Sequence, residues 1–285
     1  MKAGSTIIGS MVALAALACV SREQPAADTA TAAQNTPAPT IDLTASDYAF
    51  QVPDTVQAGP TWIRMTNAGK EFHHVIIVHL ADGHTFDEFM KASAGSAKPP
   101  EWAHPLGGPI APSPGGTPSQ TAVNLAAGTY ALICVVPSAD AVPHVAKGMA
   151  RQLTVVPQTA AAAVAPITPT TTLTLADYSF TASTPLTAGK NVVRVTNTAT
   201  QPHEVVIVRI APGKTVGDVA AFAEKPVGVP PGEVVGGASF IAPNGENFID
   251  IDLTPGDYGF ICFVPDAKDG KAHVAHGMIQ AFKIG

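Results

Sequence analysis

Apolar positions along this chain recur in short runs with a period of two, rich in β-branched and aromatic residues and bounded by Gly, Pro, Asn or Asp, which is the pattern of β-strands. In Gly256-Asp-Tyr-Gly-Phe-Ile-Cys262 the alternation sets Tyr258, Phe260 and Cys262 on one face, so a sulfur points where core aromatics point. A helical period is predicted only twice. Thr85-Phe-Asp-Glu88 has capping-box spacing, with Phe86, Phe89 and Met90 on one face, and Thr215-Val-Gly-Asp218 repeats the start. A Pro/Gly-rich loop is expected after each helix, from Lys98 to Gly116 and from Val227 to Gly245. Many short strands with one helical excursion predict an all-β, antiparallel sandwich rather than an α/β fold.

The pattern occurs twice. Asp47-Tyr-Ala-Phe50 matches Asp177-Tyr-Ser-Phe180, Ile63-Arg-Met-Thr-Asn67 matches Val193-Arg-Val-Thr-Asn197, and Gly128-Thr-Tyr-Ala-Leu-Ile-Cys134 matches the strand ending at Cys262. Matches in the same order indicate duplication of one fold, with expected domains at 40–157 and 171–285 and an Ala/Pro/Thr-rich linker at 158–170. Ahead of them, Met1-Lys2 and the apolar run Ile7 to Ala18 read as an export signal at 1–18, too short for a spanning helix. Residues 19–39 read as a disordered tether.

Composition narrows the partners. Charged residues make up 13% of the chain and the formal charge is −6, against roughly 25% charged in ordinary soluble domains. With no basic cluster, the composition argues against nucleic-acid binding. Three cysteines are an awkward number for a disulfide framework in an exported chain. Cys19 follows Ala16-Leu-Ala18, which suits either an ordinary signal peptidase or a bacterial lipoprotein box. The lipoprotein reading is preferred, with Cys19 lipidated and the chain tethered to a membrane on the periplasmic or extracellular side. Cys134 and Cys262, equivalent in the two repeats, then need another explanation.

Metal ligation supplies one. Cys262 is followed by His273-Val-Ala-His-Gly-Met278 and Cys134 by His144-Val-Ala-Lys-Gly-Met149, while His73 and His203 stand 61 and 59 residues ahead of the cysteines. A thiolate, two imidazoles and a thioether are the donor set that selects copper for one-electron transfer. The candidate ligands are His73, Cys134, His144 and Met149 in one copy and His203, Cys262, His273 and Met278 in the other, with one copper expected in each.

Each copy resembles a cupredoxin, the blue type 1 copper family. Tyr258-Gly-Phe-Ile-Cys-Phe-Val-Pro265 is similar to the family's last core strand and ligand loop, His273-Val-Ala-His-Gly-Met278 to its closing histidine and methionine, and Asn197-Thr-Ala-Thr-Gln-Pro-His203 to its first-histidine segment. The resemblance implies two tandem Greek-key sandwiches, the ligand roles just named, and electron transport with an unidentified redox protein partner. Both Cys-to-His spacings exceed those of small single-domain members and are nearer to those of nitrite reductase.

Other readings stand beside this one. A lone cysteine on a core strand is usually a small buried hydrophobe, and it is the recurrence with His and Met that argues otherwise. His74 is replaced by Glu204 in the second copy, which makes His73 the better ligand, and His74 is expected on the opposite strand face. His79 and His276 are expected in solvent, His84 and His104 carry no role, and Met65, Met90, Tyr130 and Tyr258 read as core packing. Alternative functions are copper storage or delivery, or a metal-free interaction module. An enzyme is not expected, because the residues flanking the cysteines are Ile133, Val135, Ile261 and Phe263, and the five remaining histidines contain no His-x-His pair.

Overall fold

The alternating runs are strands in the structure, a computed structural model that describes residues 1–4, 36–94, 98–159 and 164–285. The expected lipidation site Cys19, with most of the leader and tether, lies outside the described residues. In the first repeat the elements are β1 (Thr40–Ser46), β2 (Ala49–Gln51), β3 (Thr55–Gln57), β4 (Gly59–Asn67), β5 (Ile76–Leu80), α1 (Phe86–Ser93), β6 (Ala103–Gly107), β7 (Ser119–Leu125), β8 (Gly128–Ile133) and β9 (Ala150–Val156). The second repeat follows with β10 (Thr171–Ala176), β11 (Ser179–Ala182), β12 (Gly189–Asn197), β13 (His203–Ile210), α2 (Val216–Glu224), β14 (Gly232–Ile241), β15 (Glu246–Leu253), β16 (Gly256–Ile261) and β17 (Ile279–Ile284). Both helices start where their sequences predict, and both capping boxes are formed, Thr85 with Glu88 and Thr215 with Asp218. Among the described residues no helix is long and apolar enough to cross a membrane.

The class is the all-β sandwich expected, with β1–β4, β10–β12 and β3–β9 paired parallel and the other ladders antiparallel. Each repeat closes a core between two sheets. In the first it holds Leu43, Ile63, Met65, Tyr130, Leu132 and Cys134, and in the second Leu173, Val193, Ile249, Tyr258, Phe260 and Cys262. Tyr130 and Tyr258 are packing residues whose hydroxyls donate to the carbonyls of Ala126 and Thr254.

The segments expected as loops, Lys98 to Gly116 and Val227 to Gly245, contain strands β6 and β14, which pair with β5 and β13. Their glycines served as loop signals, but at Gly108 and Gly237 they serve close packing. Both have positive φ, and a Cβ there would collide with the carbonyl oxygens of Val75 and Val205. The two segments also knit the repeats together. Ser239 Oγ donates to Val75 O at 2.7 Å, Thr121 Oγ1 to Gly237 O at 2.9 Å, and β7 pairs with β15, which merges four strands of each repeat into one eight-stranded sheet. Residues from Thr36 onward therefore form one compact unit. Phe240 of the second repeat packs against the first repeat's apolar cluster that includes Ile76 and Ile133, while Ile110 of the first joins, and Phe72 packs against, the cluster that includes Val206 and Ile261 of the second. This mutual cover explains why β8 and β16 are buried on both faces.

Candidate metal centres

Three separate stretches of each repeat deliver the donors. Cys134 and Cys262 directly follow β8 and β16, His73 lies just before β5, and His203 is the first residue of β13. His144 and His273 open 3₁₀ turns, His144–Lys147 and His273–His276, closed by Gly148 and Gly277 at φ of 104° and 93°. That left-handed position lets the following methionine N–H return to the histidine carbonyl, Met149 to His144 at 2.9 Å and Met278 to His273 at 3.0 Å. The cysteine N–H donates in turn to the methionine carbonyl, at 3.2 Å in both repeats. Thiol, second imidazole and thioether are thus laced into one backbone unit, and the four candidate donors of each copy are fully buried.

In the first cluster Cys134 Sγ lies 3.5 Å from His144 Nδ1, and His144 Nδ1 lies 3.1 Å from His73 Nδ1. In the second, Cys262 Sγ lies 3.4 Å from His273 Nδ1 and 3.9 Å from His203 Nδ1. The donor atoms of each His–Cys–His set fall within 4.8 Å of one another. Met149 and Met278 are buried in the same apolar clusters as the thiols.

The outward ring nitrogens meet carboxylates. His73 Nε2 is 2.9 Å from Asp47 Oδ1, His144 Nε2 is 2.9 Å from Glu71 Oε2, and His203 Nε2 is 3.1 Å from Asp177 Oδ1. A carboxylate can only accept, so these Nε2 atoms carry a proton, and a neutral ring held this way turns its Nδ1 lone pair toward the cluster. In the first cluster the two Nδ1 atoms stand 3.1 Å apart, close enough for one cation to be held by both. Burial, followed by lesser contributions, lowers the proton affinity of His73 and His203, and lowers His273 to about 4. Burial likewise pushes the Cys134 thiol up to about 11 and raises Cys262 further, assisted there by Glu204. Two imidazoles that turn Nδ1 toward a buried thiol, which ionises when a metal displaces its proton, fit a copper ion.

The carboxylates Asp47, Glu71, Asp177 and Asp266 were missed by sequence reasoning. The recurring Asp-Tyr pairs carried a signal, since Tyr48 donates to Glu71 at 2.7 Å and Tyr178 to Asp266 at 2.5 Å. A third cluster of possible ligands, Asp266, Asp269 and His276, has a structural explanation. His276 reaches Asp269 at 3.1 Å where Lys147 reaches Asp140 at 2.8 Å, so the pair clamps the same loop in both repeats.

Of the other histidines, His74 turns away from the cluster as expected. It is buried, and burial, with lesser repulsion from His144 and His73, lowers it to about 3, while burial raises Glu204, its counterpart, to about 7. His84 stacks on Trp102 at 4.0 Å. His276 is exposed, whereas His79, expected in solvent, is half-buried with its Nε2 enclosed and unpartnered. The ring of Tyr130 and the backbone at Gly128 close over it.

No family model matches the sequence, and no curated protein matches it. Among solved structures, a reduced auracyanin from Roseiflexus castenholzii is similar over 43% of this chain and 99% of its own, at 21% identity and TM-score 0.29. A copper-containing nitrite reductase from Thermus scotoductus SA-01 covers 86% of this chain and 61% of its own, at 14% identity and TM-score 0.24. A blue copper oxidase from Nitrosomonas europaea covers 85% of both, at 15% identity and TM-score 0.23. The solved structures similar over most of the chain are enzymes by name, against the expectation of a non-enzyme, and that expectation is not kept. That expectation equated the lack of a His-x-His pair with a lack of histidines gathered in space. Strand pairing defeats the equation: β5 and β6 set His79 opposite His104, with ring centroids 6.4 Å apart.

Proposed function

We propose that the chain is a two-centre copper protein that carries single electrons. His73, Cys134, His144 and Met149 would hold one ion and His203, Cys262, His273 and Met278 the other. The observation that carries the reading is the double occurrence of a buried His–Cys–His cluster in which the second histidine's Nδ1 faces the thiol. When bound, copper supplies a one-electron couple stabilised by thiolate and imidazole.

The chain's own residues supply the rest. Asp47, Glu71 and Asp177 hold the Nε2 protons and fix the ring orientations, which raises the basicity of the inner nitrogens. The apolar clusters around the sulfurs exclude water, and the methionine–histidine backbone bonds resist rearrangement. A site that moves little between oxidation states loses little energy to reorganisation, as electron exchange requires.

The proposal extends to place and partner: export, lipid on Cys19, and an unidentified redox protein that receives or donates the electron. The test is optical. Purified protein given Cu(II) is expected to show an intense visible band that bleaches with a one-electron reductant and returns on reoxidation. A band that never forms, or does not return, would contradict the reading. Mass spectrometry of the mature N-terminus tests the anchor, an unmodified Cys19 ruling it out. Steady consumption of nitrite or oxygen by the loaded protein would make it an enzyme as well as a carrier.

A further inference from the structure

His74 and Glu204 occupy the same position in the two repeats, one residue after His73 and His203, and both are buried. Each reaches the N–H of the residue after its own repeat's cysteine. Val135 N–H donates to His74 Nε2 at 3.3 Å, and Phe263 N–H donates to Glu204 Oε1 at 3.0 Å. Since its Nε2 accepts, neutral His74 carries its proton on Nδ1, and that atom faces Glu204 Oε2 across the repeat boundary at 3.9 Å. Glu204 N–H also points at Cys262 Sγ, 3.4 Å away.

A line therefore runs from one thiol to the other through Cys134, Val135, His74, Glu204, Phe263 and Cys262. Its middle is buried: His74 and Glu204 are both shielded from solvent, whereas Val135 is exposed. His74 is bridged by Ile110, and Phe72 and Ile110 belong to the apolar cluster that includes Phe263 and Ile261. Charges facing each other across this buried gap are screened less than surface charges, and the hydrogen bonds from Val135 and Phe263 tie His74 and Glu204 each to its own cysteine's backbone.

We infer that His74 and Glu204 couple the two donor clusters, so that oxidising the metal in one makes the metal in the other harder to oxidise. The inference rests on the reading of both clusters as copper centres. Each step removes one electron from one ion, which an added oxidant accepts, and no proton moves. By linkage the effect is equal in both directions.

Spectroelectrochemical titration of the copper-loaded chain tests this against Cys134→Ser and Cys262→Ser, each of which retains one centre. The two steps of the native chain are expected to lie further apart than the midpoints of the single-centre variants, by about tenfold in equilibrium constant or about 59 mV for one electron. Glu204→Gln keeps an acceptor for Phe263 and removes the ionisable carboxyl, and His74→Asn shortens the bridge. Each is expected to return the separation to within about twofold of independence, and if one variant fails to fold, the other decides. A native titration that equals the sum of the two single-centre curves would overturn the inference, as would an excess separation that survives the bridge variants. Absence of copper uptake at either cluster is a different failure, visible before any titration, and would sink the proposed function itself.

Discussion

In the first repeat the acid beside the second imidazole is Glu71, two residues before the first histidine; in the second it is Asp266, four residues after the cysteine. The positions are exchanged: Gln201 stands where Glu71 would be, and Ser138 where Asp266 would be. Tyrosine is constant, Tyr48 donating to Glu71 and Tyr178 to Asp266. What the duplication has kept is an acid with a phenol on it, facing the ring, rather than a residue at an address. The fit is unequal, because Glu71 is 2.9 Å from His144 Nε2 whereas Asp266 is 3.7 Å from His273 Nε2, which has no hydrogen-bond partner. The first centre holds its second imidazole by a charge-assisted bond, and the second holds it by packing.

The helices differ in the same way. α1 buries Phe89 against the outer face of its sheet, while α2, with Val219 at that position, buries no residue fully. Phe89→Ala is expected to cost roughly 3–5 kcal/mol, read by thermal or denaturant unfolding, and Val219→Ala well under half of that. Equal losses would show that the second helix is packed as firmly as the first.

At the centres, Glu71→Gln is expected to weaken copper affinity of the first cluster by roughly tenfold, within the range of about 10–100-fold for lost outer partners of a ligand. Asp266→Asn is expected to change the second cluster less, as competition with a chelator would show. The double change Glu71→Gln with Ser138→Asp moves the acid to its position in the second repeat. It should recover part of the loss and shift the first centre's spectrum toward the second's; no recovery would mean that position matters more than chemistry. The smallest effects belong to what the repeats share. Thr85→Ala and Thr215→Ala each remove a formed cap and should cost about 1 kcal/mol alike.

The shared features were the ones legible in the sequence. Capping boxes and the Cys–His–Met spacing are local, so a few residues carry the whole signal. The strands hidden in 98–116 and 227–245 were not legible, because Gly108 and Gly237 serve close packing on Val75 and Val205 rather than a loop, and the bonds of Thr121 and Ser239 to the other repeat join residues more than a hundred positions apart. Asp47 and Asp177 were noticed only as matching landmarks, since nothing local says that a carboxylate after a strand will meet a histidine 26 residues on. The His74–Glu204 approach was invisible for the same reason: alignment of the copies shows a mismatch there, and only the fold turns the mismatch into a pair.

Metal analysis and the visible spectrum of the native chain, Cys134→Ser, Cys262→Ser and the double variant test the central claim most directly. The account predicts two copper ions per native chain, one in each single variant with about half the band, and neither tightly bound copper nor band in the double variant, in keeping with thiolate ligation. A full-strength band in the double variant, or a native chain that takes up no copper, would contradict it.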